Sequence, residues 1–421
     1  MTANMKILHI NSADRGGAAL CAIRAHLGLL EANIDSEIYF LWQKDHDLPH
    51  ARQHAKRYDN RIVKFLKQTG ILFDAANENE KRRAGKVSGP YMFSFANSPY
   101  KLADFVNNHK CDLVHLHWVS EFVDYQEFFQ NVKKPIVWTL LDMNPFTGGC
   151  HHSSGCLKFM ETCSECPQLK GTIDWNNAAK NQKYKRQSVG SANLTIAPVA
   201  HWMETYSRKS SLFKSLPHKR IASGIDMNLF RIKDRHACRK AFGIPEDKTI
   251  IGVVADYNSY GKGMDLLNDA FQMLEENLNV ELCLMGRVSD ENLVARSRPL
   301  GRLAGEQVAD FYNACDLFAI PSREDNFPNT MIESIACGIP VVAFNTGGLP
   351  EVIKNWNNGL IAPEMTPESL HGRLVESINN LDKFNRNNIR QNAVENYSIE
   401  VMTRNHIELY EKILNHAPLA S

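Results

Sequence analysis

Long apolar runs are missing from this sequence. No stretch reaches the roughly eighteen apolar residues that a membrane-crossing helix needs, and the residues after Met1 lack the apolar core of a signal peptide. The expectation is a chain made and kept in the cytoplasm. Charge of one sign is missing too: 48 Lys and Arg stand against 47 Asp and Glu, a net charge of +1, so bulk charge makes no case for a nucleic-acid partner. Internal repeats, low-complexity tracts and heptad runs are also absent, which excludes solenoids, disordered linkers and coiled coils. What is there is ordinary globular composition, 43% hydrophobic and 23% charged. At 421 residues the chain exceeds one typical core, so two domains are the default. Ten cysteines in a reducing compartment read as thiols or metal ligands before disulfides.

Residues 321–353, PSREDNFPNTMIESIACGIPVVAFNTGGLPEVI, read as loop, helix, strand, turn and second helix. Asn329 or Thr330 is placed to cap the first helix, and Thr330 and Glu333 have capping-box spacing. Gly338 followed by Pro340 is a stop signal. VVAF is a β-branched strand, and the turn Asn345-Thr346-Gly347-Gly348 leads into the next helix, with Pro350 in its first turn. A glycine pair at a helix start lets backbone N–H groups approach an anion closely, which outlines a phosphate site. A capping box and an ordinary turn explain the same residues equally well.

The amino-terminal half alternates strands with helical patterns. A strand over 6–10 runs into a glycine turn with Gly16 and Gly17, then into a helical pattern of Leu20, Ile23, Leu27 and Leu30. The turn lacks the full GxGxxG of a dinucleotide fingerprint, which disfavours a NAD enzyme. Strands over 111–118 and 134–141 end in polar residues. In an open α/β sheet, residues just past strand carboxyl ends line the ligand crevice, so His117, Asp142 and Asn144 are site candidates. Between 51 and 86, ten Lys or Arg outnumber four acids and interleave with apolar residues. That pattern suits either contact with anionic lipid or a solvated basic face.

Cys150, Cys156, Cys163 and Cys166 follow the spacing Cys-x5-Cys-x6-Cys-x2-Cys. A two-residue gap lets both thiolates reach one tetrahedral ion, and the other pair completes a closed zinc site with no open position for chemistry. Reduced thiols and disulfides are the alternatives. Further on, Lys262-Gly263 stands at a helix start after a strand over 249–255, where an ammonium can meet a diphosphate.

These motifs together resemble the donor-site signature of retaining glycosyltransferases of family 4, with IACGIPV over 335–341 as the nearest match. The resemblance implies a GT-B fold: two Rossmann-like α/β parallel-sheet domains facing a cleft. It places an acceptor domain at 1–222 with a Cys-rich insertion at 150–166, a hinge near Ser223 to Phe230, a nucleotide-sugar domain at 223–398 and a returning helix at 399–421. The family's acid pair falls on Asp325 and Glu333, with Phe327 as the aromatic after the first acid and Glu324 one residue out of register. Catalytic roles are implied for Asp325, Glu333 and Lys262. Donor contacts are implied for Gly16, Gly17, Arg287, Arg323, Glu324, Asn326, Phe327, Thr346, Gly347 and Gly348. The sugar or acceptor would meet His117, Asp142, Asn144 or His151. Two departures stand out: Leu141 replaces a usual histidine, so His151 or His152 could serve, and Asp256 stands where an arginine is usual, so Arg287 or Arg323 could serve.

The segment WTLLDMNPFTGGCHH with the downstream cysteines also resembles enzymes of bacterial exopolysaccharide and colanic-acid-type biosynthesis. A hexose donated by UDP or GDP to a saccharide, expected to be lipid-linked, is the implied reaction. The family is taken to attack from the leaving-group face, so no general base and no catalytic metal are assigned. A nucleotide-sugar epimerase on the same scaffold and a non-catalytic scaffold subunit of polysaccharide assembly are the alternatives.

Overall fold

The structure is a computed structural model, and it describes residues 5–43, 47–54, 91–169, 177–256, 260–275, 278–288 and 293–415. Most of the basic stretch 51–86 lies outside the described residues. The chain divides into two units, one of residues 1–221 with 403–421 and one of residues 222–402.

The first unit holds six parallel strands: β1 (Lys6–Ala13), β2 (Asp35–Trp42), β3 (Ala51–Gln53), β4 (Leu113–Leu116), β5 (Ile136–Leu140) and β6 (Leu194–Pro198), in the order β3-β2-β1-β4-β5-β6. The second repeats the plan with β7 (Thr249–Asp256), β8 (Val280–Arg287), β9 (Ser297–Gly301), β10 (Leu317–Ile320), β11 (Val341–Phe344) and β12 (Gly359–Ala362), in the order β12-β11-β10-β7-β8-β9. Neighbouring strands in both sheets pair in parallel. Sheets covered by helices on both faces require nearly continuous apolar strands. β4, β5, β10 and β11 are accordingly buried along their whole length.

Three strands escape a reading of the sequence: β3, β9 and β12. All three are edge strands. Edges need less apolar patterning, and β9 even contains Pro299, which an edge tolerates because, among the described residues, β9 pairs only with β8. A helix over Arg386–Tyr397 stands between the helices Pro367–Ile378 and Ile399–Leu414. The helix after β1, Gly17–Glu31, buries Ile23 and Leu29 with small residues such as Ala19, Ala22 and Ala25. Leu20, Leu27 and Leu30 are only half-buried, so the apolar face is rotated from the one the leucines suggest.

In each sheet the strand order reverses beside a central strand, at β1/β4 in the first unit and at β7/β10 in the second. Loops leaving the carboxyl ends of such neighbours part in opposite directions and open a crevice. Gly16, His117, Lys262 and Asp325 sit in the loops that leave these strands. No helix among the described residues is long and apolar enough to cross a membrane.

Candidate functional site

In the second unit, three loops bind to one another at the carboxyl edge of the sheet. The loop after β7 carries Lys262 and Gly263; the loop after β10 carries Ser322 to Phe327; the loop after β11 carries Thr346 to Gly348. The Arg323 N–H donates to the Gly261 carbonyl at 2.8 Å, joining the first two. Gly263 has φ +64, and a Cβ there would lie 2.0 Å from the Pro321 carbonyl oxygen, so only glycine permits the approach. Lys262 Nζ then donates to Asp325 Oδ2 at 2.8 Å, and Ser322 Oγ donates to the same oxygen at 3.2 Å.

The third loop closes on the second just as tightly. Gly347 has φ +52, and a Cβ there would lie 1.7 Å from the Asp325 carbonyl oxygen. The Gly348 N–H donates to the Asn326 carbonyl at 3.1 Å, and Thr346 Oγ1 donates to the Arg323 carbonyl at 3.0 Å. The glycine pair is therefore a packing requirement of the loop that holds Asp325. Of the two glycine amides placed near a candidate anion site, that of Gly348 is engaged within the loop. The helix that follows, Leu349–Val352, has four residues, so little macrodipole stands behind the turn.

Glu333 lies on the helix Asn329–Ala336 and is buried, accepting from the Tyr312 hydroxyl at 3.1 Å. Burial, with the Glu333 charge adding to it, raises the Tyr312 phenol well above its usual range, so the hydroxyl stays a donor. The expected capping box is not formed. Pro328 occupies the N-cap, with no side-chain cap bond; proline has no N–H for a glutamate to accept. Gly338 ends the helix at φ +74 as its sequence predicts.

The two arginines separate cleanly. Arg323 donates to both oxygens of Asp265, to the Tyr260 carbonyl, and stacks 4.1 Å over the Tyr260 ring. The Arg323 hydrogen bond is the largest influence on Asp265, and together with the guanidinium charge it outweighs burial and holds that carboxyl below its ordinary range. Arg287 instead ends β8 with its side chain exposed, paired in register with Asp256 at the same sheet edge. Phe327 is buried, its ring 5.9 Å from that of Tyr397. Asn326 is buried too, and Glu324 shares its loop.

In the first unit, Gly16 is the N-cap of Gly17–Glu31, with φ 90 and ψ 171, and both glycines are exposed. Nothing stands within 4 Å of a Cβ built at Gly16, so its backbone angles, and not crowding, call for glycine. A small cavity of about 10 Å³ is lined by His117, Trp118, Leu141, Asp142 and Asn144, among others. Three expected residues and the departure Leu141 therefore do meet.

Their side chains are tightly held. Asp142 Oδ2 accepts from Trp118 Nε1 at 3.0 Å and pairs with His151 Nδ1 at 2.6 Å, while Oδ1 accepts from the Asn144 N–H at 2.8 Å. Burial would push this carboxyl up, but the His151 charge and hydrogen bond with the Asn144 N–H outweigh it, and Asp142 is held below its ordinary value. His151 Nε2 meets Ser94 Oγ at 2.9 Å. Both ring nitrogens of His151 are engaged and it is only 4% exposed, so Asp142 and Ser94 hold the ring in place. His117 is 2% exposed, shares a 2.9 Å hydrogen bond with His9 and stacks on its ring; His115 lies tilted against His117 and meets His406 edge-on. Sequence spacing showed neither His9 nor His406; the β1–β4 pairing and the last helix bring them there. Lys185, fully buried, donates to the Asn144 carbonyl at 2.5 Å, and burial lowers its ammonium to about 8.

The cysteines form no disulfide. Cys150, Cys156, Cys163 and Cys166 line one cavity of about 20 Å³. Burial is the largest influence on Cys150 and Cys163, pushing their thiols up to about 12 and about 11.

Residues 234–396 match the family model described as glycosyl transferases group 1. An uncharacterized glycosyltransferase of Methanocaldococcus jannaschii is 34% identical over 126 residues, 28% of this chain and 35% of that protein. A D-inositol 3-phosphate glycosyltransferase of Segniliparus rotundus is 29% identical over 163 residues, 35% of this chain and 36% of that protein. The chain thus spans little more than a third of either relative. Among solved structures, a sucrose-phosphate synthase of Thermosynechococcus elongatus superposes with a TM-score of 0.68 at 17% identity, covering 98% of this chain and 100% of that one. Anabaena Alr3699/HepE in complex with UDP and glucose has a TM-score of 0.67 at 17% identity, covering 97% and 99%. The match to glycosyl transferases group 1 thus lies in residues 234–396, on a chain whose two parallel α/β units have the GT-B fold.

Proposed function

We propose that this chain is a retaining glycosyltransferase that moves a hexose from a nucleotide diphosphate sugar, UDP or GDP, to a saccharide acceptor carried on a lipid, in cell-surface polysaccharide synthesis. The observation that carries the reading is the Lys262–Asp325 pair, held at the sheet edge against the Gly347 turn inside the matched family region. A lysine on a glycine-locked loop is a preorganised cation, and its partner is exchangeable because the Lys262 side chain is 44% exposed. Electrostatic preorganisation of this kind is typically the largest catalytic contribution.

In the proposed reaction the bond from the sugar C1 to the diphosphate breaks, its electron pair passing to the phosphate oxygen. Lys262, Arg287 and the Gly347 N–H receive the growing negative charge. The acceptor hydroxyl oxygen forms the new bond to C1, and its proton goes to the departing phosphate, so no side-chain base is required. Glu333 would accept from ribose hydroxyls and Asp325 from sugar hydroxyls once the diphosphate takes Lys262. Gly16 and Gly17, exposed at the start of a helix of 15 residues, are the first unit's candidate place for an anionic group. No metal is required for transfer. The Anabaena protein, solved with UDP and glucose, makes UDP-glucose the first donor to try.

A thermal-shift panel of nucleotide sugars on the full chain, followed by transfer to lipid-linked saccharides, tests the reading. A donor should raise the melting temperature of the wild type and not of Lys262→Ala. If no nucleotide sugar stabilises the wild type, or Lys262→Ala responds equally, the donor assignment fails. Donor consumption without any acceptor would point to an epimerase instead.

A further inference from the structure

The four clustered cysteines remain outside the proposed reaction. They reach one cavity from a loop that turns sharply several times: Gly149 and Gly155 have φ +143 and +78, and Ser154 and Glu165 have φ 48 and 47. The void measures about 20 Å³, room for about one water-sized body, and its wall is almost wholly carbon and sulfur. Water is a poor occupant, because it needs two to four polar partners and thiols are weak ones. Close packing has not filled the void either.

The surrounding backbone is arranged for sulfur as an acceptor. The Gly148 N–H donates to Cys163 Sγ at 3.2 Å. A Cβ at Gly148 would lie 2.7 Å from the Cys163 Cβ and 3.0 Å from its Sγ, so the glycine makes room for the sulfur. N–H donors of this kind stabilise thiolates.

We propose that Cys150, Cys156, Cys163 and Cys166 bind one structural zinc ion in this cavity. In the structure no three of the four sulfurs lie within 4.8 Å of one another. Tetrahedral zinc holds sulfur at about 2.3 Å, so the ion draws the loop inward onto the void. Four thiols give up four protons to solvent as the ion enters, and the product carries two negative charges. Its role is to fix the segment that backs Asp142: Gly149 accepts from Asn144 Nδ2 at 2.7 Å, and the adjacent His151 pairs with Asp142. With four sulfur ligands the ion has no open position, so it shapes the loop and takes no substrate.

Metal analysis of the full chain, purified reduced and without chelator, should find one zinc per chain. Titrating the thiols with a mercurial should release it to a colorimetric zinc indicator, with release complete as the four thiols react. Cys163→Ser/Cys166→Ser should lose the ion. Should that variant fail to fold, cobalt exchanged into the wild type gives an independent reading, expected as the visible and thiolate charge-transfer absorption of tetrahedral sulfur ligation. Zinc-free wild type that also takes up no zinc or cobalt under reducing conditions overturns the proposal. So does full zinc content in the double variant, or an intact mass showing these cysteines oxidised in pairs.

Discussion

Lys262 Nζ donates to Asp325 Oδ2 at 2.8 Å across 63 residues of sequence. β7 and β10 are neighbours in the sheet, so the loops that leave them must meet. The pair is part-exposed, and such pairs contribute at most about 1 kcal/mol to stability. Lys262→Ala should therefore leave urea unfolding within about 1 kcal/mol of wild type while lowering kcat/KM at least about tenfold, on the order of 1.4 kcal/mol. Comparable kcat/KM in the variant would remove Lys262 from the donor site.

Glu333 needs a gentler substitution. Alanine would strand the buried Tyr312 hydroxyl, a penalty of about 1–3 kcal/mol that confuses folding with function. Glu333→Gln keeps an acceptor for Tyr312 and removes the charge. Turnover about tenfold lower, with an unfolding midpoint near that of wild type, is the expected result in parallel kinetics and urea melts.

The two candidate arginines should part company. Arg323 is engaged by Asp265 and Tyr260, whereas Arg287 is exposed at the end of β8. Arg287→Ala should weaken donor binding, seen as a raised KM and a smaller calorimetric signal for the nucleoside diphosphate. Arg323→Ala should first lower the melting temperature. The reverse pattern would reassign the phosphate arginine.

Two glycines give opposite signs. Gly347→Ala places a Cβ against the Asp325 carbonyl at a positive φ and should destabilise the chain by about 1–3 kcal/mol. Gly372 sits in the helix Pro367–Ile378 with nothing within 4 Å of a Cβ, and Gly372→Ala should stabilise it by up to about 1 kcal/mol. Urea denaturation of both variants checks the contrast.

Acid should loosen the first unit before carboxylates titrate. Burial, the largest influence, lowers His117 to about 3 and His406 to about 4, and takes His9 and His115 well below their ordinary range. These rings are neutral when folded and gain protons more readily unfolded. Their contribution is thus complete above about pH 6.5 and is lost as pH falls, by on the order of 1.4 kcal/mol per pH unit for each ring that stays neutral. Urea midpoints between pH 7 and 5 should fall steeply. A flat profile would show that these histidines are not kept neutral.

By itself the sequence determined the alternation of strands and helices, the two-domain length, and the loops that hold the candidate residues. Apolar strands, glycine turns and helix stops are local signals, and β10, β11, Gly338 and the loop around Asp325 follow from them. Edge strands left weaker marks because they bury less, and β3, β9 and β12 became visible only when paired. Partner choice was decided by the tertiary structure alone. Which group meets Lys262, which arginine Asp265 engages, why Glu333 faces Tyr312 and why His151 stands behind Asp142 all depend on strand order and helix placement. Spacing along the chain sets which side chains share an element; adjacency in the sheet sets which of them touch.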